Sequence, residues 1–335
     1  MKRLFLVLFS AVIFVSLFSA SASAKLTTKF YGYQWLTYQH QVKGMDDVAK
    51  SGLSINRTYL RWKFEDKEIG YSAGLTLDIP NSAGAQDGVD FGVWVKNGYV
   101  DFSTIPVISD YNAKLRLGMH SVYFGTMDLW KYPTIEKTIT DKNKVISSAD
   151  LGMSVIGSIP GGFGEYTLSA YNGAGYKKIE NNVEKQYAAT LTLVPIPGLT
   201  VRGSYITRNA NAHGDPAETV AATDVFVQYV TGPLTALVEY VVKEDYSNGK
   251  TSEGFMTFLS MKATDVLELV ARWDNWNPDT KTSNDEMNTY ILGMNYEINS
   301  KVLLQLNYQL DQPQFGGYAE SKHSNKWTAQ VKYGW

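Results

Sequence analysis

The sequence of 335 residues contains no cysteine. This absence excludes a disulfide framework, thiolate zinc sites, covalently attached haem and a cysteine nucleophile. Charge is also scarce, since charged residues make up 19% of the chain and the formal net charge is −2, against about 25% charged residues in soluble domains. There is no basic excess that would neutralise nucleic-acid phosphates. Because 44% of the residues are hydrophobic, intrinsic disorder is excluded as well.

Residues 1–24 have the pattern of a secretory signal peptide. Two basic residues stand near the start of the chain, an apolar run extends from Leu4 to Phe18, and Ala22-Ser23-Ala24 forms a small-x-small cleavage motif. The run is too short to span a bilayer comfortably, which argues against an N-terminal membrane anchor. We therefore expect residues 1–24 to be removed on export, leaving residues 25–335 as one mature domain.

The last ten residues alternate strictly between apolar and polar side chains. One face carries Trp327, Ala329, Val331, Tyr333 and Trp335, and the other carries Lys326, Thr328, Gln330, Lys332 and Gly334. A period of two indicates a β-strand with one apolar face. The pattern ends on an aromatic residue and resembles the C-terminal signal of bacterial outer-membrane barrels, which implies recognition by the barrel-assembly machinery. An edge strand of a soluble β-sandwich is the alternative.

Sixteen segments of the mature chain have the composition and alternation of β-strands. They cover residues 25–40, 51–65, 68–79, 91–104, 112–122, 150–158, 163–172, 185–194, 199–209, 221–231, 233–243, 254–263, 265–276, 286–298, 301–311 and 324–335. The stretch from Asp265 to Arg272 could be helical in isolation, but its alternation favours a strand. Short and long polar connections alternate along the chain, as is typical of transmembrane barrels. Because a bilayer offers no water to an unpaired edge, we predict an all-β fold, a closed antiparallel transmembrane barrel of about sixteen strands.

The connection between the fifth and sixth predicted strands, residues 123–149, is the longest. A connection of this length without secondary structure indicates a functional or a disordered segment. In sixteen-stranded porins the third long extracellular loop folds into the lumen and narrows it, and this connection is the third on its side. A mobile surface loop is the alternative. The charged residues expected at the constriction are Asp128, Lys131, Glu136, Lys137 and Asp141, with Lys142 and Lys144 beside them.

A barrel of sixteen strands is too wide for side chains to fill, so it encloses an aqueous channel unless something plugs it. The 22 Tyr and 8 Trp residues are expected to include girdles at both membrane interfaces. A charge on the lipid face costs about 2–4 kcal/mol near the bilayer midplane, so charged residues on the strands should point inward. The predicted basic pore-lining residues are Arg57, Arg61, Lys63, Lys114, Arg116, His120, Arg202 and Arg208, and the acidic candidates are Glu165, Asp224, Glu239, Glu268 and Asp274.

The basic candidates are concentrated on the early strands, which predicts a basic stripe on one wall. Facing the long connection across a constriction, such a stripe would create a transverse field that orients polar solutes and biases ion choice. An equally open interpretation is that the inward charges only hydrate the lumen.

Five short segments carry a resemblance to a known family. They are Asn56-Arg57-Thr58-Tyr59-Leu60-Arg61, Leu115-Arg116-Leu117-Gly118, Asp150-Leu151-Gly152, Tyr171-Asn172-Gly173-Ala174-Gly175 and Pro197-Gly198-Leu199-Thr200-Val201. Together they resemble bacterial trimeric porins, most closely the phosphate-selective porin O and P family. The resemblance implies sixteen strands, a homotrimer and anion passage, with Arg57, Arg61 and Arg116 as wall arginines. The family's phosphate-binding cluster is not recognisable in this shorter chain, so we expect a broader pore for anions or small solutes.

The sequence shows no convincing catalytic or metal-binding motif. Its histidines are His40, His120, His213 and His323. None belongs to a G-x-S-x-G, H-E-x-x-H or P-loop pattern. Asp46-Asp47 and Asp285-Glu286 could bind calcium weakly, but solvated loop charge is the favoured explanation. We therefore predict no enzyme activity, no metal and no cofactor.

These inferences predict an outer-membrane channel of a Gram-negative bacterium. It would allow passive diffusion of small hydrophilic solutes and ions, with some anion preference. The expected partners are outer-membrane lipid, two further copies of the chain in a homotrimer, and small anions in transit, but not nucleic acid. The alternatives are a barrel that sheathes an electron-transfer cytochrome or another partner and, less favoured by the motifs, an outer-membrane enzyme.

Overall fold

A computed structural model describes residues 26–43, 47–80, 92–180, 183–208, 220–313 and 323–335. The predicted signal peptide, residues 1–24, lies outside the described residues, as do parts of five of the predicted long connections. Within the described part of the chain, no helix is both long and apolar enough to cross a membrane.

Sixteen β-strands make up most of the described chain. In chain order they are β1 (Thr27–Lys43), β2 (Asp47–Asp66), β3 (Tyr71–Pro80), β4 (Trp94–Phe102), β5 (Ala113–Ser121), β6 (Ala149–Ile159), β7 (Gly164–Tyr171), β8 (Gln186–Ile196), β9 (Leu199–Arg208), β10 (Val220–Thr231), β11 (Leu234–Asp245), β12 (Lys250–Lys262), β13 (Leu267–Asn277), β14 (Met287–Asn299), β15 (Val302–Pro313) and β16 (Ser324–Gly334). Each corresponds to a predicted strand, including β13, where the sequence also allowed a helix.

Two short helices lie in the connections around β5. The first, α1 (Pro106–Ser109), follows β4, and the second, α2 (Ile139–Lys142), lies between β5 and β6. Proline at the first position of α1 fixes a helical φ where no N–H bond is needed. Thr138 caps α2, because its hydroxyl accepts from the N–H of Asp141 at 3.1 Å. Neither helix is long enough to show helical periodicity in the sequence.

The strands form one closed antiparallel barrel. Each strand pairs with its neighbours in the sequence, and β1 also pairs with β16. This seam runs from Tyr33, opposite Gly334, to Lys43, opposite Ser324. Because the sheet closes on itself, it has no free edge of unpaired backbone groups. The prediction of a closed sixteen-stranded barrel is confirmed.

Alternating side chains produce an apolar exterior. On β8, Tyr187 and Leu191 are exposed, whereas the neighbouring Gln186 and Thr190 are buried. A water-soluble protein has the opposite arrangement. An apolar outer face suits a sheet whose exterior meets hydrocarbon.

The largest buried apolar cluster lies on the inner side of the barrel wall. On β10, Phe226 is buried while Val225 and Val227 on either side of it are exposed, so Phe226 belongs to the inner face. Phe124 and Ile139, from the connection between β5 and β6, belong to the same cluster and are fully buried. This connection, residues 122–148 and hereafter the long loop, therefore packs against inward-facing side chains.

The last residue completes the seam between β1 and β16. The N–H of Trp335 donates to the carbonyl of Gly32 at 3.2 Å, and the N–H of Gly32 donates to the carbonyl of Trp335 at 3.4 Å. A Cβ added to Gly32 would lie 2.7 Å from the Trp335 ring and would also meet the carbonyl of Tyr59. Glycine at this position leaves the space that the terminal indole occupies.

Substituting Gly32→Ala should destabilise the barrel by about 1–3 kcal/mol, because the new methyl group has no room beside Trp335. The measurement is the urea midpoint of the refolded barrel in lipid vesicles. The matched control is Gly203→Ala on β9, where an added Cβ has no neighbouring atom within 4 Å. Equal loss of stability in both variants would contradict the assignment of Gly32 to the seam.

Candidate functional site in the barrel interior

The long loop is anchored at its beginning to β9 and β11. Thr126 donates to the carboxylate of Glu239 through its backbone N–H and through its hydroxyl, both at 2.8 Å. Arg202 donates to the carbonyl of Gly125 at 3.0 Å and pairs with Asp128 at 2.7 Å. Glu239 is fully buried and Arg202 almost so. Water therefore competes little with these contacts, which fix the loop against the inner face.

Further along, the long loop is held by side chains of β13 to β16. Arg272, Asn295 and Gln305 donate to the carbonyls of Lys137, Pro133 and Tyr132 at 2.6, 2.8 and 3.0 Å, respectively. Lys326 pairs with Glu136 at 3.3 Å. These anchors lie on β9, β11, β13, β14, β15 and β16, six strands of one half of the barrel.

Each acidic residue of the long loop has a basic partner. The pairs are Asp128 with Arg202, Glu136 with Lys326, and Asp141 with Lys137. Burial raises the pKa of Asp128 and outweighs the opposing charge of Arg202. Burial alone would also raise the pKa of Glu136, but the charges of Lys326 and Lys142 prevail and lower it to about 2. Asp128 and Glu136 both belong to ion pairs that hold the loop against the barrel wall.

Basic side chains on β2, β4 and β16 lie against tyrosine rings. The guanidinium of Arg61 lies 4.9 Å from the ring centre of Tyr59 and 5.1 Å from that of Tyr33. Lys96 donates to the hydroxyl of Tyr59 at 2.8 Å, and the Lys332 ammonium lies 4.7 Å from the Tyr33 ring centre. Among the described residues, no carboxylate lies within 4 Å of these three cations.

Arg57 connects these cations to the long loop. It donates to the hydroxyl of Tyr132 at 3.1 Å and lies 3.5 Å from the carboxylate of Asp78. The Tyr132 ring meets Trp35 of β1 edge-on, with 4.8 Å between ring centres. The tip of the loop therefore reaches β1 and β2. We name the four residues Arg57, Arg61, Lys96 and Lys332 the basic wall.

A second basic group lies on β5, beside the start of the long loop. Arg116 and Lys114 both pair with Asp101 of β4, at 2.6 and 2.9 Å. Arg116 also lies 3.7 Å from the ring centre of Tyr99 and donates to the hydroxyl of Tyr123 at 2.8 Å. Because two cations share one carboxylate, this group retains a net positive charge.

Two of the predicted pore-lining residues are enclosed by protein. His120 is fully buried, with Nε2 2.7 Å from the hydroxyl of Ser154 and Nδ1 2.8 Å from the carbonyl of Gly118. Its ring therefore has no exposed surface. Arg202 is 4% exposed. It contacts the long loop, where Asp128 and the Gly125 carbonyl compensate its charge.

The other predicted residues are placed as follows. Lys63 is exposed near Glu65, at 3.6 Å, and Lys131 is exposed on the long loop. The side chain of Arg208 lies outside the described residues.

The acidic candidates do not form an exposed ring in the lumen. Asp224, Glu239 and Asp274 are buried, and Asp274 accepts both of its hydrogen bonds from Arg272 at 2.7 Å. Glu268 accepts from Asn295 at 2.8 Å, and Glu165 is exposed. The described residues contain no group of three or more side chains suited to hold a metal ion.

Sequence reasoning misses two members of the basic wall, Lys96 and Lys332. Lys96 is the extra residue of a β-bulge, since Thr76 pairs with Asn97 and Leu77 with Val95. A bulge interrupts alternation and re-aims a side chain, so simple counting fails there. For Lys332 a signal existed, because it lies on the polar face of the alternating C-terminal strand.

Solved structures with the same fold come from bacterial outer membranes. The anion-selective porin from Comamonas acidovorans matches with a TM-score of 0.70 at 14% identity, covering 93% of this chain and 100% of that one. The outer membrane channel DcaP of Acinetobacter baumannii matches at 0.67 and 12%, covering 94% and 99%. The trimer form of OmpT, an outer membrane protein of Vibrio cholerae, matches at 0.67 and 12%, covering 92% and 99%.

At these identities the likeness shows the fold. This chain has the architecture of outer-membrane porins along nearly its whole length. No protein-family model matches the sequence, and no curated relative matches it.

The low pKa of Glu136 predicts how the long loop responds to acid. Because its pKa is lowered from 4.5 to about 2, the contact with Lys326 stabilises the loop fully above pH 4.5 and is lost as the pH falls towards 2. Hydrogen exchange of the loop amides, corrected for intrinsic rates, should show constant protection from about pH 7 to 5 and a loss below about pH 4.

The variant Glu136→Gln should show the reduced protection already at neutral pH. Glu65→Gln, which removes a partly exposed carboxylate next to Lys63, serves as the control and should leave the loop unchanged. Unaltered exchange in Glu136→Gln would contradict the anchoring role.

Proposed function

We propose that this protein is an outer-membrane channel for passive diffusion of small hydrophilic solutes and ions, with a preference for anions. The observation that carries the proposal is the basic wall, in which Arg61, Lys96 and Lys332 face tyrosine rings and have no carboxylate within 4 Å among the described residues. The width of a sixteen-stranded barrel supports the channel, because wall side chains cannot fill its lumen.

The anion preference follows from how the interior charges are arranged. Tyrosine rings position the cations by cation–π contact without cancelling their charge. The acids of the long loop are paired with Arg202, Lys326 and Lys137, so they do not attract cations into the channel. Beside the basic wall, which the long loop reaches through the contact of Tyr132 with Arg57, the positive potential raises the local concentration of anions and disfavours cations.

The resemblance to phosphate-selective porins supports the same solute class. It singles out Arg57, Arg61 and Arg116, of which the first two belong to the basic wall and the third shares Asp101 with Lys114. The fold match to an anion-selective porin is consistent with this class. We propose a general preference for anions and not a channel dedicated to phosphate.

The cellular context of the proposal rests on the two ends of the chain and on the fold. The signal pattern of residues 1–24 supports export, and the alternating strand β16 with its terminal aromatic residue supports insertion by the barrel-assembly machinery. The fold match to a protein solved in a trimer form supports a homotrimer in the outer membrane of a Gram-negative bacterium.

The selectivity of single channels in planar bilayers under a KCl gradient tests the proposal. The wild-type protein should give a reversal potential of anion sign, with openings grouped in threes. The double variant Arg61→Gln with Lys332→Gln should reduce that potential by roughly half, because two uncompensated charges are removed from the wall. The control Lys67→Gln with Lys301→Gln changes exposed lysines on short turns and should leave it unchanged.

The other outcomes discriminate between the parts of the proposal. A reversal potential near zero or of cation sign in the wild-type protein would retain the channel and remove its anion preference. No conductance from folded protein would contradict the channel and favour a barrel occupied by a partner such as a cytochrome, which co-purified haem would reveal.

A further inference from the structure

A cavity of about 420 Å³ adjoins the basic wall. The long loop, the connection between β7 and β8, and the ends of β9 and β11 form its walls. Seven of its lining residues are basic, whereas one, Asp141, is acidic. Arg57 lines this cavity and also belongs to the basic wall, so the two regions are continuous.

Three of the seven basic residues have acidic neighbours. Arg57 lies 3.5 Å from Asp78, Lys137 lies 3.3 Å from Asp141, and Lys142 lies 3.7 Å from Asp311. The remaining four are Lys144, Lys177, Lys178 and Lys243, and none of them has a carboxylate within 4 Å among the described residues. Like charges from three separate segments repel one another around one cavity, and a bound anion would relieve that repulsion.

The size of the cavity limits what could fill it. Its apolar lining residues are Val145, Ile146, Ile206 and Val220, and the first three are buried, so they offer a solute almost no surface. The volume corresponds to about fourteen water molecules at ~30 Å³ each. A single small inorganic ion would leave most of this space without contacts. An occupant with several negative groups spaced apart matches the lysines that line the cavity.

We propose that this cavity, the vestibule site, binds organic anions that carry two or more carboxylates. The proposal rests on the proposed function, since it names the solute class that is concentrated next to the basic wall. Carboxylates would meet the ammonium groups of Lys144, Lys178 and Lys243. From there a solute passes to Arg57 and the basic wall.

The test uses benzene-1,3,5-tricarboxylate as the probe of the vestibule site. Added on the side of the long loops, it should interrupt the chloride current of single channels. Benzoate has the same ring with a single carboxylate, and it should need about tenfold higher concentration, because it can pair with fewer of the lysines. Calorimetric titration of both probes into the detergent-solubilised barrel measures binding independently of conduction.

The double variant Lys144→Gln with Lys178→Gln should raise the half-blocking concentration and the dissociation constant of the tricarboxylate by about 5- to 30-fold. The control Lys67→Gln with Lys301→Gln removes the same charge from exposed short turns and should leave both quantities unchanged. An equal effect in the control would overturn the location of the site.

The remaining results separate the two proposals. A protein that conducts chloride but shows neither block nor heat of binding would overturn the vestibule site and leave the channel intact. Equal potency of benzoate would overturn the requirement for more than one carboxylate. Binding of the tricarboxylate to a protein that does not conduct would support the site and contradict the proposed function.

Discussion

The pairing of backbone hydrogen bonds across the seam between β1 and β16 determines the rest of this structure. A sheet whose outer face meets hydrocarbon cannot leave N–H and C=O groups unpaired, because no water is available to them. Closure with sixteen strands then sets a circumference too large for wall side chains to fill. The interior must hold either water or chain, and here the long loop occupies part of it. Its apolar residues Phe124 and Ile139 are buried as deeply as any core residue of a soluble protein.

The positive charge of the basic wall depends on the position of the acidic residues in the interior. The whole chain has a formal net charge of −2, so the basic wall does not reflect a basic protein. Carboxylates such as Asp128, Glu136 and Glu239 hold the long loop in place. They therefore do not pair with the cations of the basic wall. The cations of the basic wall lie against tyrosine rings instead. An acidic chain can in this way present a positive surface to solutes.

Much of the fold could be predicted from the sequence, because alternation and connection length report directly on a barrel. Every strand was indicated, and β13 was correctly separated from a helix by its alternating residues. The interior was harder, since alternation tells which face a side chain occupies but not what covers it. His120 lies on the expected face, yet it is enclosed by Ser154 and its surroundings. Alternation does not identify Lys96, because a β-bulge shifts its register. No local pattern reveals which carbonyls accept hydrogen bonds from Arg272 or Gln305.

The anchors of the long loop also have a consequence for the order of folding. Thr126 bonds a residue 113 positions later in the chain, and Glu136 pairs with one 190 positions later. Such distant partners exist only after the second half of the barrel has been made and closed. Contacts of large sequence separation form late because their loop-closure entropy is high. The long loop would thus dock against the inner face late in assembly, after the second half of the barrel has formed.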